Sequence, residues 1–367
     1  RRWTSCLAHL AASALIMTSW CAPDAIKLMP TITGCSMVPW AQVVADVVPR
    51  PAPVIYVNVG ANKGYNVAEH MSMWSQHGVT NQLWHQNILK YAQENNRGFL
   101  RAYSCGNCGA CKSAAPAPHM RSGGHVHVLE LTASNRALLR NLIVRTGLTE
   151  DVSVHDLAAS NASGFITMRR TMAGDERASI AHGIRSGSEA DQGEGKRGEN
   201  RTRQDAAAAA ACANGGSACE ERIEVVRLDD FAAREGLGPI YTVSIDTEGY
   251  DALVIDGMSG LLSRGYRRKP AIVEFEAHCG NPCRKAYRRN GQPLRRTLER
   301  LDSAGYRCYW QFPTTLVPAS GACWHERFGQ KLRWSNMLCA HEPPVVARLD
   351  NISMEGYFER RRLRAQT

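Results

Sequence analysis

The sequence predicts an α/β fold in which a mostly parallel sheet carries helices on both faces, and three observations predict it. Runs such as Val54-Ile55-Tyr56-Val57-Asn58-Val59 are apolar and β-branched almost throughout, the composition of strands buried on both sides. They alternate along the chain with segments of helical apolar spacing. Three of the runs end on a glycine or an acid, at Gly60, Glu130 and Asp246, and the carboxyl ends of parallel strands are where such sheets bind ligands. A 44% hydrophobic and 21% charged composition over 367 residues fits a chain with a sizeable core and excludes wholly disordered or collagen-like protein.

The elements follow in order. After a proline-rich lead-in with room for one short helix, the first strand runs to Val59, and Gly60-Ala61-Asn62-Lys63-Gly64 turns into a helix marked by Val67, Met71 and Trp74. His125–Glu130 is the second strand, Ser134–Ile143 a helix and Val152–His155 a third strand. Ile223–Arg227 is a strand and Leu228–Arg234 a helix, followed by a strand at Tyr241–Asp246 and a helix over Tyr250–Ser263. Ala271–Phe275 is a strand, Leu294–Ala304 a helix, and Trp334–Ala340 closes the pattern as a strand or hairpin. Two stretches break the rhythm, a Cys/Gly/Pro-rich segment before Gly124 and a polar, low-complexity segment from Gly174 that cannot supply a core.

The site candidates lie at the strand ends. A glycine closing the first parallel strand lets backbone approach a ligand, and the helix that follows offers its N-terminus. Gly60-x-x-x-Gly64 lacks the G-x-G-x-x-G spacing of dinucleotide binders, so alone it is equally a tight turn. An acid about 20 residues further on, at the next strand end, accepts from ribose hydroxyls. Glu130 stands 66 residues after Gly64, a spacing recovered if the cysteine-bearing stretch loops out. Asp246 and Glu248, two apart after a buried strand, make the third element; helix capping accounts for one of them and not easily for both.

The strings VNVGANKGYN, VVRLDDFAAREGL and VSIDTEGYDALVIDGMSGLL, with the Glu130 strand end, resemble the FkbM family of S-adenosylmethionine-dependent methyltransferases. The resemblance implies the class I methyltransferase (Rossmann-like) fold, a mostly parallel seven-stranded sheet with one antiparallel strand near the C-terminus, for which Trp334–Ala340 is the candidate. It implies a domain over 54–345 with insertions at about 85–124 and 174–222, after a lead-in over 1–53 and before a basic tail over 346–367. It implies S-adenosylmethionine as cofactor, with Asn58, Gly60, Ala61, Asn62, Gly64, Glu130 and Asp246 as its binding residues. Asn58 stands where the family usually has Asp, and Leu131 where proline is common; an amide keeps the acceptor oxygen and loses the charge.

The implied reaction is O-methylation of a hydroxyl on a sugar or small metabolite, the partner being a small-molecule or glycan acceptor. Asp246, Glu248 and His278 are the catalytic candidates, as base or orienter of the acceptor, with Glu274 and Glu276 beside them. No metal ligand is assigned, although Asp246, Glu248, Glu276 and His278 are hard donors. His278 is equally a surface or capping residue.

Three features stay open. Cys105-x-x-Cys108-x-x-Cys111 has zinc-compatible spacing with His119 or His125 as fourth ligand, and with Cys279 and Cys283 it is equally compatible with disulfides or free thiols. Residues 264–300 carry eleven Lys/Arg and three Glu, which suggests an acidic acceptor or an RNA substrate, or is simply a solvated surface. No RNA-binding signature accompanies them, which argues against nucleic acid. The apolar run from Cys6 to Cys21 resembles a secretory or organellar targeting segment, the one candidate for membrane anchoring, and is otherwise a buried helix. A non-catalytic metal-binding module is the reading that would follow from Asn58 and the cysteine triplet together.

Overall fold

The computed structural model describes residues 21, 36, 38–47, 53–95, 105, 108–109, 111, 123–169, 185–186, 220–263, 265, 269–278, 294–329 and 335–365. Eight strands form the main sheet: β1 (Val54–Val59), β2 (Gly124–Leu129), β3 (Val152–His155), β8 (Ile240–Ile245), β9 (Ile272–His278), β10 (Arg307–Gln311), β11 (Leu316–Pro318) and β12 (Ser335–Ala340). Their order across the sheet is β11-β10-β12-β9-β8-β1-β2-β3. β3, β2, β1, β8 and β9 are parallel, β12 runs against both β9 and β10, and β11 runs against β10. The reversed strand at Ser335–Ala340 is the one expected from the sequence.

The strand count corrects the expectation of seven. Residues 220–226 leave the main sheet and pair in a second one with β4 (Leu157–Ala159), β5 (Gly164–Arg169) and β6 (Arg185–Ser186), as β4-β7-β5-β6. This β7 (Glu220–Val226) buries Ile223 and Val225 while Arg222 and Glu224 face solvent, the alternation of a sheet wetted on one face. The hairpin β10–β11 then brings the main sheet to eight.

Helices cover both faces because alternate strand residues point to opposite sides. On one face Val57, Val59, Leu129, Val243, Ile245, Val273 and Phe275 pack against α5 (Leu228–Arg234), α6 (Asp251–Asp256), α7 (Ser259–Ser263) and α8 (Leu294–Ser303). On the other, Tyr56, Val126 and Val128 meet α2 (Tyr65–Trp74), α3 (Asn81–Glu94) and α4 (Ala133–Arg145). Further along that side, Ile272, Tyr309 and Leu338 meet the short α1 (Trp40–Ala45) and the long α10 (Pro343–Ala365).

Helices run into two of the expected segments. The stretch expected to loop out from residue 85 begins as helix: Thr80 Oγ1 caps α3 by accepting from Leu83 N, and Trp84, Ile88 and Ala92 bury one stripe of it. The expected tail over 346–367 starts inside α10, whose Val345 and Leu349 are fully buried and whose Asp350 accepts from the Tyr309 hydroxyl at 2.9 Å. The helix expected over 250–263 is split at Gly257, where a Cβ would lie 2.0 Å from the Ser160 carbonyl oxygen. Asp229 then caps α7, accepting from Gly260 N at 2.8 Å and Leu261 N at 2.7 Å, so the first acid of Leu228-Asp229-Asp230-Phe231 works as a latch between α5 and α7.

The run from Cys6, apart from Cys21, lies outside the described residues, as do Cys279, Cys283, the cations at 284–289 and most of 174–222. No described helix is long and apolar enough to cross a membrane.

Candidate functional site

The strand ends singled out in the sequence lie side by side. Gly60 N donates to Leu129 O and Asp246 N to Val59 O, each at 2.9 Å, so the ends of β2, β1 and β8 form one row. The turn after β1 needs its glycine: Gly60 has φ +83°, and a Cβ there would sit 1.9 Å from the Asp246 carbonyl oxygen. Gly64, also left-handed at φ +77°, starts α2 where a Cβ would meet Leu139 and Trp84 at under 3 Å. Asn62 takes φ +49°, a conformation asparagine tolerates better than most residues. Ala61 is half-buried against the α2–α4 packing.

Glu130 is buried at this turn and already well held. Oε2 accepts from Asn62 N at 2.9 Å, and Oε1 accepts from both Thr132 N and Thr132 Oγ1 at 2.8 Å. Burial pushes its carboxyl pKa up, opposed by these hydrogen bonds and by Asn135. The carboxylate therefore pins the Gly60–Gly64 turn to the end of β2. The amide oxygens of Asn58 and Asn62 are buried without a hydrogen-bond partner among the described residues, while Asn58 Nδ2 donates to the Tyr56 hydroxyl at 3.0 Å. An enclosed acceptor without a donor is uncommon and marks a place where a ligand donor fits.

A polar floor continues across the sheet. Asn58, Ser244 and Glu274 are register partners on β1, β8 and β9, on the same face as Tyr56. One step toward the strand ends come Gly60, Asp246 and Glu276, with Asn336 paired to Glu276. Gln311 Nε2 donates to Glu274 Oε1 at 2.6 Å. Burial, with the negative charges of Glu69 and Asp246 nearby, raises Glu274 to about 7. Glu69, on α2, is solvent-exposed, and the protein packed around it pushes its pKa up. Asp246 is exposed at the end of the same row.

Asp251 holds the loop that follows Asp246. It is buried, its Oδ2 accepts from Thr247 Oγ1 at 3.0 Å and Gly249 N at 3.3 Å, and its Oδ1 accepts from Glu276 N at 3.2 Å. Burial and the neighbouring Asp246 raise its pKa. Glu248 is half-buried in this loop with φ +54°. His278 ends β9 opposite Ser335, and its side chain lies outside the described part. The structure thus brings together Asn58, Gly60, Asn62, Glu130, Asp246, Glu274 and Glu276. It adds Glu69, Asp251, Tyr56 and Gln311, which sequence reasoning passed over. For Asp251 a signal existed, an acid directly before the apolar run Ala252-Leu253-Val254-Ile255.

Of the two histidines proposed as fourth ligand, His119 lies outside the described residues and His125 faces Ser153 from β2; the imidazole beside the cysteines among the described residues belongs to a third histidine. It is His85, placed by α3 next to Cys105 and Cys111 and held by the Tyr65 hydroxyl at 2.6 Å from Nδ1. Cys105 and Cys111 form a disulfide, Cys308 and Cys339 another between β10 and β12, and Cys21 and Cys323 a third. Within the basic stretch, Lys269 donates to Ala304 O, Arg295 pairs with Glu299 and Arg300 with Asp256, so these cations serve the fold.

Comparison with known proteins adds three findings. A family model described as the methyltransferase FkbM domain matches residues 107–308, more than half of the chain and starting after the glycine turn. The crystal structure of a methyltransferase FkbM from Methylobacillus flagellatus KT aligns at 11% identity over 82% of this chain and 47% of that one, with a TM-score of 0.36, so this chain spans under half of that protein's length. No curated protein matches.

Proposed function

The chain belongs to the FkbM methyltransferase family, and from that premise we propose that it uses S-adenosylmethionine to O-methylate a hydroxyl of a sugar or similar small metabolite within a class I methyltransferase fold. The observation that carries the reading is the row of strand ends joining Gly60, Glu130 and Asp246, since Rossmann-like sheets bind nucleosides there. The residues fit such a cofactor. The Gly60–Gly64 turn leaves backbone where a side chain would intrude, Glu130 sits beside it as the ribose carboxylate, and Asn58 and Asn62 offer acceptor oxygens that lack donors.

When bound, the cofactor supplies a methyl group already activated on a sulfonium, so the hard chemistry is its own. What falls to the chain is orientation and a proton. Asp246, exposed at the strand end, is placed to accept the acceptor's hydroxyl proton or to orient that hydroxyl. Glu274, raised to about 7, and Glu69 line the same floor and suit a polyhydroxyl acceptor, as hydrogen-bond donors when protonated and as acceptors when ionised. Glu248 and His278 remain candidates on their positions alone.

Calorimetric titration with S-adenosylmethionine tests the cofactor reading, with saturable binding in the native chain and a loss of about tenfold or more in Glu130→Ala. Absence of binding in the native chain overturns it. Transfer of labelled methyl to a panel of glycans and hydroxylated metabolites then identifies the acceptor.

A further inference from the structure

We propose that His127, His155 and Glu235 form a zinc site on the face of the sheet opposite Asn58 and Glu274. His127 projects from β2 and His155 from β3 on the side covered by α5, and Glu235 caps the C-terminus of α5 above them. The ligand atoms of all three residues lie within 4.8 Å of one another.

The histidine pair has the spacing of shared coordination. His127 Nδ1 and His155 Nε2 stand 3.2 Å apart. Two nitrogens each about 2.0–2.1 Å from zinc at a tetrahedral angle are separated by about 3.3–3.4 Å. One ion therefore fits between them with little strand movement. A hydrogen bond alone would satisfy two imidazoles; it does not account for a carboxylate converging from a third element. Two imidazoles, a carboxylate and one position left to water make a zinc donor set.

The surroundings hold the ligands in place. Phe231 lies edge-on to both rings, with centroids 5.9 Å from His127 and 4.9 Å from His155. His125 lies tilted to His127 at 4.7 Å between ring centroids but turns its Nε2 to the Ser153 hydroxyl at 3.3 Å. Among the described residues Glu235 pairs with the exposed Arg234, at 3.4 Å, a contact too weak to compete with a metal. Asp156, next to His155, is engaged by Arg136 and Arg140. The His155 carbonyl accepts from Glu130 N at 3.2 Å, so an ion here braces the strand end that carries Glu130. The other His-containing cluster among the described residues, His85 with Cys105 and Cys111, has its sulfurs tied up in a disulfide.

The test is zinc titration of the full chain after chelator stripping, without reductant, followed by cobalt substitution. The expected result is one zinc per chain, and affinity reduced about tenfold or more in His127→Asn, His155→Asn and Glu235→Gln. Cys105→Ser and Cys111→Ser retain it. Cobalt gives visible d–d bands without thiolate charge transfer. Zinc raises the thermal midpoint of the native chain and not of the histidine variants. Glu235→Gln, at an exposed helix end, keeps the test readable should His127→Asn fail to fold. Absence of zinc binding, binding unaltered in His155→Asn and Glu235→Gln, or binding that follows the cysteines overturns the proposal.

Discussion

The two faces of the central strands are built from alternate residues of the same short segments and serve opposite ends. Val57, Val59, Val243, Ile245, Val273 and Phe275 make one face of β1, β8 and β9 apolar and buried. Tyr56, Asn58, Ser244, Glu274 and Glu276, interleaved with them, make the other polar toward the strand ends. Burying such groups costs free energy unless they are paired. The cost is offset in part by Asn58 to Tyr56 and Gln311 to Glu274, and is left standing at the Asn58 amide oxygen. One face supplies stability and the other spends some of it on a place for a ligand.

The largest effect should come from the apolar face. Phe275 is 2% exposed and packs among Ile245, Val254 and Trp310. Phe275→Ala should lower unfolding free energy by about 3–5 kcal/mol, read by chemical denaturation. Methyl transfer per folded molecule should be nearly unchanged. A variant that loses activity at full stability would show that the division between the faces is wrong.

Gly60→Ala tests the boundary between them. Its Cβ would need space held by the Asp246 carbonyl, at a φ that alanine resists. Affinity for S-adenosylmethionine should fall by about 100-fold or more, equivalent to about 2.7 kcal/mol. Unchanged binding by calorimetry would remove the turn from the site.

Which parts of this were legible in the sequence follows from the same alternation. Strands buried on both sides, at Val54–Val59 and Ile240–Ile245, announce themselves as apolar runs, and so did the reversed strand at Ser335–Ala340. The strand signal of β10, Arg-Cys-Tyr-Trp-Gln, rests on its Tyr-Trp pair alone, too short a run to read as a strand. β7 reads as a strand, and its Arg222/Glu224 against Ile223/Val225 alternation is what marks it as half-wetted and distinct from the main sheet. At the site, the strand-end residues were visible because strand ends are local features. Glu69 and Gln311 were not, because only the packing of α2 and β10 carries them to Glu274.

The pH dependence of stability sharpens the contrast next. Glu274 is raised from 4.5 to about 7 by burial and by Glu69 and Asp246. Between those values the folded protein keeps a proton that the unfolded chain has released, so the group's effect is to lower stability as pH rises from about 4.5 to about 7. Above that window the penalty is constant, and below it absent. Glu274→Gln should flatten this part of the curve relative to the native chain. Parallel curves would mean that Glu274 is ionised at little cost and that the polar face is wetter than its packing implies.

The smallest effect, and the most telling about the ligand, is expected from Asn58→Asp. The native amide oxygen is enclosed, without a donor, in the same row as Ser244 and Glu274. A carboxylate there would be buried in the same register row as the carboxyl of Glu274. The ligand-free variant should therefore lose about 1–3 kcal/mol at neutral pH. An ammonium brought by S-adenosylmethionine would supply the missing donor and the opposite charge. Binding should then tighten by about tenfold even as the free protein weakens. Those opposite signs cannot arise from a general loosening of the fold, which would weaken both together. A variant less stable and no tighter in binding would show that the ammonium lies elsewhere, and that the orphaned oxygen of Asn58 belongs to the core rather than to the site.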